Sequence, residues 1–130
     1  MHRSKLCTIM IDCNEATWDA TATFWGAALG RRVLRSNEPT DPSVTLEGGV
    51  GGLRFEVQRV QDTSRIHLDI ETDHVEAEVR RLEALGARRH AQIESWWVMQ
   101  NPAGHLFCVV PPQSDDFARQ AQVWGQDNVE

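Results

Sequence analysis

Gly52-Leu53-Arg54-Phe55-Glu56-Val57 and Gly104-His105-Leu106-Phe107-Cys108-Val109 are the two stretches on which the fold turns. Gly, Phe and Val recur in them at equal spacing, and Gly104 stands 52 residues after Gly52. The same doubling appears upstream. Cys7-Thr8-Ile9-Met10-Ile11-Asp12 and Ile66-His67-Leu68-Asp69-Ile70-Glu71 are short, rich in β-branched residues and bounded by polar turn residues, as strands are. A helix follows each. The first carries Trp18, Ala22, Trp25 and Leu29 on one stripe and ends at Gly30. The second carries Val75, Val79, Leu82 and Leu85, with Asp73 and Glu76 spaced as a capping box and Gly86 as the stop. Two further strands fit in each half, over 33–36 and 43–47 and over 88–93 and 96–99. Each half therefore reads β-α-β-β-β. A unit of roughly 50 residues cannot bury its own sheet face, so the halves, 5–60 and 65–112, are expected to form one α+β domain over 1–112 with a concave mixed sheet. The tail, 113–130, holds Phe117, Ala121 and Trp124 at helical spacing, a short helix started by Ser114.

The chain has 130 residues, 41% hydrophobic and 25% charged, as one globular domain does. Its 13 Lys+Arg against 19 Asp+Glu give a net charge of -6, which leaves no basic excess for neutralising phosphates and argues against nucleic acid. Arg31-Arg32 and Arg88-Arg89 follow the two helix ends, where cations suit the helix dipole. Three cysteines without CxxC spacing form neither a disulfide framework nor a zinc finger, and fit reduced thiols in the cytoplasm. No apolar run is long enough for a membrane. Gly48-Gly49-Val50-Gly51-Gly52 precedes a strand and lacks the Lys of a phosphate loop, so it reads as a flexible turn.

Alternation along the fifth strand puts His67, Asp69 and Glu71 on one face and Ile66, Leu68 and Ile70 on the other. The apolar side is expected under the helices and the polar side in a cleft. By the same logic Thr8, Met10 and Asp12 face the cleft from the first strand, and Glu56 and Gln58 from the fourth. Trp96, Trp97 and Met99 are candidates for an apolar wall, with alternation admitting one tryptophan, taken as Trp97. His67 beside Asp69 and Glu56 can move a proton near neutral pH without a metal, Asp69 orienting the ring. A structural His67–Asp69 contact explains the same pattern.

The doubled unit, together with Ile11-Asp12-Cys13, Phe24-Trp25, Ala28-Leu29-Gly30, Arg65-Ile66-His67-Leu68-Asp69-Ile70 and Asn101-Pro102-Ala103-Gly104-His105, resembles the vicinal oxygen chelate superfamily. That superfamily holds glyoxalase I, bleomycin-resistance proteins and extradiol dioxygenases, and the chain resembles its small actinobacterial glyoxalase-like domains. The resemblance implies metal-ligand positions at Thr8, Glu56, His67 and Cys108. Thr is a poor ligand, and a Cys stands where Glu is usual. The expectation is therefore no cofactor, with a divalent metal on His67, Glu56 and Cys108 as the alternative.

Two functions follow. One is a metal-independent lyase or isomerase, or a dioxygenase. In that reading His67, Asp69 and Glu56 are catalytic, and Thr8, Met10, Asp12, Gln58, Glu71, Trp97, Met99 and Cys108 bind substrate. The other is a non-catalytic binder that sequesters a drug or similar molecule. Family members commonly pair, so a homodimer is expected.

Overall fold

The computed structural model describes residues 1–61 and 65–125, in two compact units. One is residues 8–67. The other joins residues 1–7 to residues 68–130, so the division falls inside the first and fifth strands.

The 8–67 unit takes most of β1 (His2–Cys13), then α1 (Glu15–Leu29), β2 (Val33–Arg35), β3 (Ser43–Leu46) and β4 (Arg54–Arg59). Its strands lie in the order β2-β3-β4-β1, with β1 and β4 parallel. Asn14 starts α1: its side-chain oxygen accepts the Thr17 N–H at 3.0 Å, satisfying a donor that has no partner within the helix. Gly30 ends it in the left-handed conformation that a side chain would disfavour. Ile11, Ala22, Val44, Leu46, Phe55 and Val57 form the core, with Trp18 and Trp25 of α1 packed against it. The Trp18 indole donates to the Val57 carbonyl at 3.1 Å. Strand alternation then sends the side chains between these core positions to the side of the sheet away from α1.

The other unit holds the start of β1, β5 (Arg65–Thr72), α2 (Val75–Ala84), β6 (Arg88–Ile93), β7 (Trp96–Gln100), β8 (Leu106–Val110), α3 (Phe117–Gln120) and β9 (Gln122–Trp124). Its strand order is β1-β5-β8-β7-β6, with β5 and β8 parallel and β9 antiparallel to the start of β1. Val79, Met99 and Val109 make its core, supported by Val75, Leu82, Trp97 and Phe107.

Several expectations are corrected here. Asp73 does not cap α2, because its carboxylate accepts the Arg3 N–H at 2.8 Å; His74 caps instead, its Nδ1 accepting from Ala77 N–H. Leu85 lies past the end of the helix and is exposed. Arg31 and Arg32 follow the C-cap Gly30 as expected, and Arg89 binds Glu76 and Glu83 of α2. The tail forms only one helical turn and then β9, since pairing with β1 satisfies the backbone that a longer helix would otherwise serve. Trp124 donates from its indole to Ser4 Oγ at 2.8 Å, and Arg81 stacks on its ring. Residues 126–130 of the tail lie outside the described residues.

Candidate functional site

On the side of the 8–67 sheet away from α1, the β1–β4 register places Thr8 beside Arg54, Met10 beside Glu56 and Asp12 beside Gln58. Strand β3 extends the row, with Ser43 beside Gln58 and Thr45 beside Glu56. The polar positions expected from alternation in β1 and β4 therefore share one surface, while Ile9, Ile11, Phe55 and Val57 lie under α1.

His67 and Asp12 are the centre of this surface. His67 Nδ1 lies 2.6 Å from Asp12 Oδ2, and both side chains are buried. Arg65 Nε reaches the same oxygen at 3.3 Å. The other oxygen, Asp12 Oδ1, is buried without a hydrogen-bond partner among the described residues. This contact with a carboxylate oxygen sets the ring angle; with the proton on Nδ1, Nε2 is the basic nitrogen. Asp12, expected as a cleft-lining residue, makes this contact with the ring.

Glu56 is buried and accepts from Arg54 Nη2 at 2.6 Å. Gln58 is partly exposed. In the other unit, Asp69 and Cys108 are register partners, and the Cys7 thiol donates to the Asp69 carbonyl at 3.4 Å.

Glu71, Trp97 and Met99 take other places. Glu71 is fully buried; its Oε1 accepts the N–H groups of Gln113 and Ser114, and Lys5 Nζ lies 3.3 Å from Oε2. Burial alone would raise its pKa, but the hydrogen bonds from Gln113, Ser114 and Lys5 outweigh it and hold the carboxyl below the usual glutamate range. Met99 is fully buried in the α2 core, and Trp97 packs against that core from the same face. They pair with Phe107 and Val109, which fixes them on the helix side; Trp96 and Val98 take the opposite side. The apolar face of β5 is only partly covered: Ile66 is 63% exposed and Leu68 43%, because α2 spans ten residues and packs over Val109 rather than over this end of the strand.

The profile of the glyoxalase-like domain matches residues 8–110. The chain belongs to the glyoxalase-like domain family. Its α+β architecture is shared by solved structures. A hypothetical protein from Bacillus halodurans C-125 aligns with a TM-score of 0.57 at 14% identity, over 86% of this chain and 98% of that one. A Mn(II)-bound glyoxalase from Novosphingobium aromaticivorans aligns at 0.56 and 17% identity, over 88% of this chain and 43% of that one. Methylmalonyl-CoA epimerase from Mycobacterium tuberculosis aligns at 0.51 and 13% identity, over 83% and 88%. At these identities the likeness is one of fold. No curated protein matches the sequence.

The metal set implied by the resemblance does not fit this glyoxalase-like domain. Thr8 offers only a hydroxyl, and Glu56 is committed to Arg54.

Proposed function

We propose that this glyoxalase-like domain is a metal-independent lyase or isomerase that moves a proton on a small molecule, with His67 as the base. The carrying observation is the 2.6 Å contact between the buried His67 and Asp12. Asp12 holds the Nδ1 proton, so Nε2 accepts a proton from a carbon made acidic by a neighbouring carbonyl. The imidazolium that forms is stabilised by the Asp12 carboxylate and returns its proton to the adjacent atom. Acid–base catalysis of this kind contributes about 10²–10⁴-fold to rate. Asp12 is the positioning residue, and Glu56 and Gln58 line the surface next to it. Three buried cysteines without disulfide-framework spacing support a reducing, cytoplasmic setting, and the exposed Ile66 and Leu68 support pairing of two copies.

The test is carbon-bound hydrogen exchange in D2O, followed by proton NMR over thioesters, 2-oxoaldehyde–thiol adducts and 2-hydroxy ketones. Wild-type protein is expected to wash deuterium into one class. His67→Gln should slow that by about 10²–10⁴-fold while remaining folded. Exchange at the wild-type rate in folded His67→Gln protein refutes the reading. A second reading, a non-catalytic binder, is favoured by Thr8 at a ligand position; it predicts saturable binding with no exchange in any class.

A further inference from the structure

The β3–β4 hairpin carries two adjoining cavities. One, of about 430 Å³, is polar and includes Arg35, Ser36, Asp41, Ser43 and Glu56 in its lining. The other, of about 250 Å³, is walled by Leu46, Leu53 and the backbone of the glycine turn. Thr45 and Arg54 line both. Glu56, whose side chain is 9% exposed, accepts one Arg54 Nη2 hydrogen at 2.6 Å, while the arginine side chain itself is 42% exposed. A guanidinium has five N–H donors in a rigid fork, so one contact with Glu56 Oε2 leaves others available.

A second cation stands on the rim. Gly48 is in the left-handed conformation, and a Cβ built on it would come 2.9 Å from Arg31 Nη1. The missing side chain is what lets the Arg31 guanidinium rest against the turn. Arg32 is ion-paired to Glu47, and Arg35 to Asp19; Arg31 makes no ion pair among the described residues. Arg54 in the lining and Arg31 against Gly48 thus place two guanidiniums beside the glycine-turn cavity, in a chain whose net charge is -6.

We propose that Arg54, with Arg31 at the rim, is an oxyanion-binding site, taking a carboxylate or a phosphate group. For the enzyme proposed above it names the substrate class, a small molecule bearing an anionic group, and only that link rests on the earlier reading. A carboxylate or phosphate matches the planar fork bidentately, whereas a lysine presents a point charge.

The test is calorimetric titration of the full chain at constant ionic strength with two probes, inorganic pyrophosphate and succinate. Saturable binding of pyrophosphate identifies a phosphate site, and of succinate a carboxylate site. Arg54→Gln is expected to weaken the binding probe by at least about tenfold, a change of about 1.4 kcal/mol. Arg54→Lys should recover part of it, and Arg31→Gln should weaken it less than Arg54→Gln does. His67→Gln should bind the probe as wild type does. Should Arg54→Gln fail to fold, Arg54→Lys carries the comparison, with weakened binding expected. Failure of both probes to saturate, or wild-type affinity in folded Arg54→Gln protein, overturns the site. Loss of deuterium exchange with anion binding intact would instead overturn only the catalytic reading.

Discussion

Glu71→Gln removes the one charge on which the C-terminal segment is hung. In the native chain its carboxylate is fully buried, accepts two backbone N–H groups, from Gln113 and Ser114, and faces the Lys5 ammonium. Hydrogen bonds to a charged group are worth about 1.5–3 kcal/mol each, and a glutamine oxygen can keep a weaker form of one of them. Lys5 retains Asp116 at 3.0 Å, so it is not left without a carboxylate. The expected loss is about 2 kcal/mol, equivalent to a fall in Tm of about 8 °C for a chain of this size. The loss should be local first: limited proteolysis should cut between Val110 and Phe117 faster than in wild type, before the rest of the chain is attacked. The sign of the pH effect follows from the direction of the shift. Glu71 is held below the usual glutamate range, so its stabilisation is present above that range and disappears as pH falls through its folded pKa. Glu71→Gln should flatten the acid limb of a Tm-against-pH curve. A variant with wild-type Tm, unchanged cleavage order and an unaltered acid limb would refute this account of the tail.

Glu78 should behave in the same sense: burial raises its pKa, but Arg81 and His2 outweigh it, so Glu78→Gln should also lose its advantage above the glutamate range, read by thermal melts across pH. Met99→Ala should lower stability by about 2–5 kcal/mol in denaturant titration while leaving pyrophosphate or succinate affinity of the folded protein unchanged, since Met99 is a core residue. Elemental analysis of untagged protein should find no stoichiometric manganese or iron, and adding either should leave deuterium exchange unchanged. Asp12→Asn should cut exchange by about 10²–10⁴-fold with the fold retained, because the ring of His67 loses its fixed tautomer.

The repeat was legible because glycine, helix stop and strand alternation are local signals, and both halves carry them. The polar rows in β1 and β4 were legible for the same reason. The contact of Asp12 with His67 was not: the two lie on different strands, and sequence spacing carries no cross-strand register. The phase of β7 was hidden by its composition: Trp96, Trp97, Val98 and Met99 are all apolar, so alternation has nothing to count. The α2 cap was misassigned because Asp73 fits the local rule, while Arg3, seventy residues away in sequence, takes its carboxylate. Arg54 and the glycine turn looked unremarkable in sequence, since the cavity between them exists only once β3 and β4 are paired.

The pairing of β9 with the start of β1 has a consequence for the order in which the chain is made. Residues 8–67 form a contiguous unit, whose contacts are all available once that stretch has been synthesised. His2, Arg3 and Ser4 pair with Trp124, Val123 and Gln122, which are translated more than a hundred residues later. During synthesis residues 1–7 therefore wait, with part of their edge unpaired, until residues 122–124 arrive. The slow step of folding should be this long-range closure, and a bulky fusion ahead of His2 would burden that step more than the same fusion inserted at the Gly51–Gly52 turn.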